Sequence, residues 1–174
     1  MFVQVIEEAG YFAAMAGLAL SYNQDVGKMP TVADRLKFKG NGHNKFLESI
    51  VVWLNVDAPR YWWSQVDTYR AGITKQSEST MHTILRQPLT QENFEGKDIL
   101  PSYLEYLNQL IVDKNFEKLK DALPESFLQR RIICTNYKTL QTIKIQRESH
   151  KLKQWKYFLS TLQSQLTYPE LIWE

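Results

Sequence analysis

Three stretches of the 174-residue chain hold side chains whose types and spacing suit chemistry. The first is Gly42–Ser49, GHNKFLES, where His43 and Glu48 fall near the opening turn of a helix start. Its plain structural reading is a capped start with a solvated histidine. The second is Arg60–Thr80. On a helix, Arg60, Trp63 and Asp67 share one face, as do Gln65 and Tyr69, four apart. Tyr61, Trp62 and Trp63 suit a core or a subunit interface better than a stacking platform. The hydroxyl-rich loop after Arg70 offers donors to a phosphate, or is a solvated turn. The third stretch is Leu123–Trp155, where Asn136, Lys138, Lys144, Arg147, Lys151 and Lys153 recur on successive helical turns. Such a cluster binds nucleotide phosphate or a nucleic-acid backbone, or is a solvated basic face.

Other catalytic signatures are missing from the sequence. It has no Gly-rich phosphate loop, GxSxG, HExxH or DxDxDG. His43, His82 and His150 lie far apart, and Cys134 is the single cysteine, so no metal site is expected. A lone cysteine also excludes an internal disulfide and fits a reducing cytoplasm, that of a host cell if the gene is phage-borne. An enzyme built from these residues relies on a cofactor's reactivity, with the protein supplying position and charge. The net charge of +2 divides unevenly: residues 114–156 hold eleven Lys/Arg against four Asp/Glu, and the remainder is net acidic. No apolar run reaches the roughly 18 residues of a membrane span. The opening MFVQVIEEAG has no basic n-region, so no signal peptide is expected.

The elements that must position these residues read as a single α+β domain over residues 1–174, mostly helical with a small antiparallel or mixed sheet. Phe2–Glu7 alternates and reads as a strand. Tyr11–Leu20, YFAAMAGLAL, suits a tightly packed helix in which Gly17 marks close approach of another backbone. Residues 23–42 read as a connector. Asn44–Ser49 reads as a helix start running into a strand, IVVWLNV. Asp57-Ala58-Pro59 opens a helix ending near Gly72, and Ile73–Thr80 is a polar loop. Leu100, Leu104, Leu107 and Ile111 recur at helical spacing behind Pro101. Leu123-Pro124 breaks the helix that follows. Glu125–Leu166 reads as two or three helices.

In this order the motifs resemble one family, the flavin-dependent thymidylate synthases, across nearly the whole chain. That family opens with a strand, a glycine and an Ala-rich helix, as VIEEAGYFAAMAGLALSYN does. Its GHxSxxEH element is matched by Gly42-His43-Asn44-Lys45-Phe46-Leu47-Glu48-Ser49. Its Ser-Arg, Gln and Arg-His-Arg series meets Pro59-Arg60, Gln65 and Thr68-Tyr69-Arg70, followed by Thr74–His82 against SxNExSxRY with one extra residue. Lys120 precedes Ala122-Leu123-Pro124 where the family has a basic residue before Val-Leu-Pro. Asn136-Tyr137-Lys138-Thr139-Leu140 stands for NxRxL, and Gln146-Arg147 with His150 for LRxxxHAQ.

The resemblance implies one-carbon transfer to uracil C5 of dUMP or a related nucleotide, with FAD as cofactor and NADPH and methylenetetrahydrofolate as co-substrates. It implies a transferase of nucleotide biosynthesis, assembled as a homotetramer with flavin and nucleotide held where subunits meet. It assigns His43, Arg70, Gln76, Asn136 and Lys138 to the flavin, Gln65, Lys120 and Arg147 to the nucleotide, and Ser79 to the catalytic place beside the uracil. Either Ser79 or Glu78 takes the family's serine position. The chain departs from the pattern at Thr68 and Tyr69, at Gln76-Ser77 and Met81, and at Lys120 and Lys138, which stand for arginines. A lysine does not reproduce an arginine fork. Those departures motivate a second reading: a member of the fold that has lost its chemistry and binds nucleic acid or a protein through the basic 114–156 face. A third is an unrelated helical structural protein.

Overall fold

In the computed structural model, which describes residues 1–173, strand β1 is Phe2–Ala9 and helix α1 is Tyr11–Tyr22. Gly10 makes the corner between them at φ +94°, and a Cβ there would lie 2.1 Å from the Ser49 carbonyl oxygen. The chain continues through α2 (Met29–Leu36), a 3-10 turn over Lys45–Ser49 and β2 (Val51–Pro59). Then follow α3 (Arg60–Val66), β3 (Ile73–Ser77) and the single turn α4 (Thr80–Thr83). α5 (Pro101–Val112) and α6 (Phe116–Ala122) lead into β4 (Leu128–Asn136), α7 (Tyr137–Arg147) and α8 (Lys153–Gln165). The strands pair in the order β1-β2-β4-β3. Arg60 N donates to Phe127 O and Tyr137 N to Ile50 O, so β2 and β4 run antiparallel. The chain is α+β, mostly helical with a small antiparallel sheet, as the sequence predicts.

Six expectations need correction. Gly17, expected to mark close approach of another backbone, has nothing within 4 Å of where a Cβ would lie. Residues 23–42 are more than a connector: Met29, Val32, Ala33 and Leu36 bury one face of α2. Asn44–Ser49 tightens into a 3-10 turn, because the strand begins two residues later. β2 runs on through Pro59, which delays α3 to Arg60, and α3 stops at Val66. Ile73–Ser77 is an edge strand, polar because its outer side has no neighbour to bury against. Within Glu125–Leu166 there are two helices preceded by a strand. β4 carries Gln129, Arg130 and Arg131 in its first half and alternates in burial only from Ile133 to Asn136, which hides the strand period in the sequence.

The chain divides into two compact units. The first holds Met1–Phe2, Val56–Thr68 and Gln76–Arg131. Its core sets Phe94, Leu107, Leu110, Leu119, Leu123 and Phe127 together, with Phe94 and Phe127 edge to face at 5.9 Å. Trp62 and Trp63 are buried, as the sequence predicts for that aromatic run. Trp63 Nε1 donates to Gln129 O at 2.8 Å, which satisfies the buried indole. Trp63 and Asp67 together hold Arg131, by ring stacking at 4.5 Å and by an ion pair at 3.1 Å.

The second unit holds Val3–Asn55, Tyr69–Lys75 and Ile132 onward. Here α1, α2, α7 and α8 bury Met15, Met29, Leu140, Trp155 and Leu162. Tyr137 is fully buried and donates to the Glu8 carboxylate, whose other oxygen accepts from Thr167 N and Oγ1 at 2.8 Å. Burial and that carboxylate both push the Tyr137 phenol far up, so it stays protonated. No helix among the described residues is long and apolar enough to cross a membrane.

Candidate functional site

The second unit carries an open cleft of about 840 Å³. One wall is α1, where Ala13, Ala14 and Gly17 are small and Leu18, Ser21 and Tyr22 lie further along. The other is the 41–49 segment, with His43, Lys45 and Glu48 on it. Asn41 and Gly42 turn this segment in left-handed conformations, φ 57° and φ 81°, which suit an asparagine and a glycine. His43 is exposed, as a solvated histidine should be.

The neighbouring residue, Asn44, is buried and fixes the segment. Its Nδ2 donates to Lys37 O at 2.9 Å and to Gln141 Oε1 at 3.3 Å. The buried Gln141 Nε2 in turn donates to Lys37 O at 2.9 Å and Leu171 O at 3.3 Å. Buried amides bonded at several atoms hold a unique geometry, since breaking one bond strands another polar group. The Lys138 ammonium donates to Asn44 Oδ1, which ties the first turn of α7 to the residue beside His43.

α7 is a ruler for the rest of this unit. Asn136 caps it, accepting Thr139 N at 2.9 Å. Thr135 Oγ1 donates to Gly72 O at 2.8 Å, so the end of the Thr68-Tyr69-Arg70 stretch lies at the helix start. Gly72 has φ +69°, and a Cβ there would meet Thr139 Oγ1 at 2.2 Å. Arg70 is exposed. Nine residues beyond Lys138, about 13 Å along the axis, stands Arg147, whose Nε donates to Tyr69 Oη at 2.9 Å.

In the first unit, Lys120 of α6 donates to Thr80 Oγ1 at 2.7 Å, at the start of α4. Burial lowers the Lys120 pKa, and the charge of Arg60 lowers it further. Arg60 is held by Leu123 O at 3.0 Å and by a loose pair with Glu125 at 3.9 Å. Lys120 and Arg60 are thus two cations that feel one another in a partly buried neighbourhood. Ser79 is exposed and precedes Thr80; its carbonyl oxygen accepts Thr83 Oγ1 at 2.9 Å. Glu78 pairs with Arg130 at 4.0 Å, and its N–H donates to Arg130 O at 2.9 Å. Gln76 is exposed on β3, and Gln65 is half-buried on α3.

A pocket of about 180 Å³ in the same unit is lined by Asp57, Glu78, Thr80 and Arg130, among others. Burial raises the Asp57 pKa against the opposing pull of Arg130. Among the described residues no three His, Cys, Asp or Glu gather to hold a metal ion.

The predicted site residues thus fall in two groups. His43, Lys138, Asn136, Arg70 and Arg147 belong to the second unit, and Gln65, Gln76, Ser79 and Lys120 to the first. Sequence reasoning missed Asn44 as the tie between His43 and Lys138, Thr80 as the partner of Lys120, and Trp155 beside Arg147. None of these leaves a local pattern. The basic 114–156 block is partly paired: Lys120, Arg131, Lys138, Lys144 and Arg147 have partners, and exposed Arg130 a loose one at 4.0 Å.

This architecture is the fold of the flavin-dependent thymidylate synthases, the family whose motif order the sequence resembles. Two solved structures of the thymidylate synthase ThyX from Helicobacter pylori, both with FAD and dUMP, share it. The first matches with a TM-score of 0.85 at 18% identity, over 100% of this chain and 98% of that one. The second gives a TM-score of 0.83 at 18% identity, over 99% and 98%. No protein-family model matches the sequence, and no curated protein does. At this identity the likeness establishes the fold.

Proposed function

We propose that the chain is a flavin-dependent enzyme of nucleotide biosynthesis, transferring a one-carbon unit to uracil C5 of dUMP or a related nucleotide. The observation that carries this reading is the Lys120–Thr80 contact beside the charge of Arg60, which supports a phosphate-binding role for Lys120 where the motif order asks for one. In this reading Lys120, Gln65 and Arg147 hold the nucleotide, and Ser79 lies beside the uracil. All 174 residues act as one functional domain.

The cleft beside His43 is the proposed place for a flat ligand, and of the residues assigned to FAD only His43 lines it. Its volume of about 840 Å³ lies in the range of small-molecule sites. Small residues on α1 leave room for a ring, and His43 and Lys45 supply donors beside the Glu48 carboxylate. His43, Arg70, Gln76, Asn136 and Lys138 are the residues proposed to hold FAD. Bound there, the flavin supplies reducing equivalents, with NADPH as reductant and methylenetetrahydrofolate as the one-carbon donor. The protein's own work is orientation: the Asn44 node fixes the 41–49 segment, and the cap at Asn136 sets the start of α7. Single arginines replaced by lysines keep charge without the fork, which suits a changed phosphate or a polymeric nucleotide.

The outer face of α1 supports self-association, and the resemblance makes it a tetramer. Phe12 is 78% exposed and Leu20 84%, with Ala13, Ala16 and Gly17 between them, so a second copy of the chain is the proposed partner. The test of function is incubation with FAD, NADPH, methylenetetrahydrofolate and dUMP tritiated at C5. Release of tritium is expected. No release, together with binding that shows no selectivity for dUMP, selects the second reading, an interaction module. For that module the basic block leaves five exposed lysines, Lys114, Lys118, Lys151, Lys153 and Lys156, and its mark is binding to nucleic acid that weakens steeply with salt.

A further inference from the structure

Arg147 sits in a brace that the motif order does not explain. Its Nε donates to Tyr69 Oη at 2.9 Å. Its Cζ lies 5.5 Å from the centre of the Tyr69 ring and 5.0 Å from that of Trp155. Both distances are within cation–π range. The two rings meet edge to face at 6.4 Å, and Trp155 is fully buried, so one side of the brace is part of the core.

An arginine has three rotamer-rich torsions to lose before it can bind anything, and holding such a side chain in place beforehand lowers the cost of binding. A guanidinium carries five N–H donors in a fixed plane. With Nε given to Tyr69 and one face against the rings, the four N–H groups of the two Nη atoms remain. Among the described residues none of them has a hydrogen-bond partner. Those four point as a fork suited to two oxygens of one phosphate or carboxylate.

We propose that Tyr69 is a positioning residue that, with Trp155, presents the Nη edge of Arg147 to an oxyanion of the nucleotide. The inference rests on the reading of Arg147 as a nucleotide ligand. Tyr69 stands in the Thr68-Tyr69-Arg70 stretch, so the departure at this place has a use of its own: a ring and a hydroxyl that aim a cation found 78 positions later.

The test uses the full chain as wild type, Tyr69→Phe, Arg147→Ala and the double variant, titrated by calorimetry with dUMP and separately with inorganic phosphate. Phe keeps the ring and removes the acceptor. The expected result is a loss of dUMP affinity in Tyr69→Phe of about three- to tenfold, a larger loss in Arg147→Ala, and no added loss in the double variant. The ¹⁵Nε–H resonance of Arg147 should move and exchange faster in Tyr69→Phe while the melting temperature holds. Unchanged dUMP affinity in Tyr69→Phe beside a loss in Arg147→Ala overturns the inference, as does a double variant in which the two losses add. If the wild type binds no dUMP, the functional reading fails on its own. The brace is then judged with inorganic phosphate: weaker binding in Tyr69→Phe supports it, and equal or undetectable binding overturns it.

Discussion

Lys120 and Thr80, forty positions apart in the chain, meet through an Nζ–Oγ1 hydrogen bond of 2.7 Å. The contact brings the end of α6 to the start of α4 and leaves the ammonium where both burial and Arg60 lower its pKa. Replacing Lys120 by Ala removes a charged hydrogen-bond partner worth about 1.5–3 kcal/mol, so dUMP affinity should fall roughly ten- to a hundredfold by calorimetry. Lys120→Arg should keep or improve it. An anion favours the protonated lysine, so wild-type affinity should decline as pH rises through a value below the ordinary ~10.4. A decline that starts no earlier than for an exposed lysine contradicts this account of the site.

Asp57 bears on stability. Its pKa is raised, so the folded state holds its proton more tightly than the unfolded chain does. Stability from this group is lost as pH rises through the interval from about 3.8 to the raised value. Asp57→Asn should therefore raise the melting temperature at pH 7, with a gain that shrinks as pH falls from the raised value toward about 3.8 and is gone below it. A gain independent of pH would assign the effect to packing.

Gly10 tests the corner that sets α1 against the 41–49 segment. Alanine there meets both a positive φ and the Ser49 carbonyl at 2.1 Å. The backbone conformation alone costs roughly 1–3 kcal/mol, and at about 2–4 °C per kcal/mol for a chain this size the melting temperature should drop by several degrees. FAD binding should weaken with it, because Ser49 lines the cleft.

The outer face of α1 answers to size. Leu20→Glu places a charge on the most exposed apolar residue of that helix. Light scattering coupled to size exclusion should show the wild type as an oligomer and the variant shifted toward the monomer. A monomeric wild type, or a variant that keeps the oligomer, removes this face as the interface.

Much of the fold was legible because local chemistry declared it. The alternation of β1, the break at Gly10, Pro101 ahead of α5 and the aromatic core of α3 all lie within a few residues of their cause. β3 and β4 did not declare themselves. β3 sits at an edge and is polar after Ile73, and β4 sets Gln129, Arg130 and Arg131 side by side, so neither shows a full period of two. α2 carried its signal, Met29, Val32, Ala33 and Leu36 at helical spacing, beneath three glycines and a proline that read as a connector. For the site, the GHN segment and Lys120 were visible through motif order. The contacts Lys120–Thr80, Lys138–Asn44 and Arg147–Tyr69 were not, since pairs 40, 94 and 78 positions apart leave no local trace.

Flavin binding tests the central claim most directly. Titrating the purified full-length chain into FAD while following flavin fluorescence should give a saturable change at micromolar protein, weakened by His43→Ala. No change up to high micromolar protein would contradict the reading of this chain as a flavoenzyme.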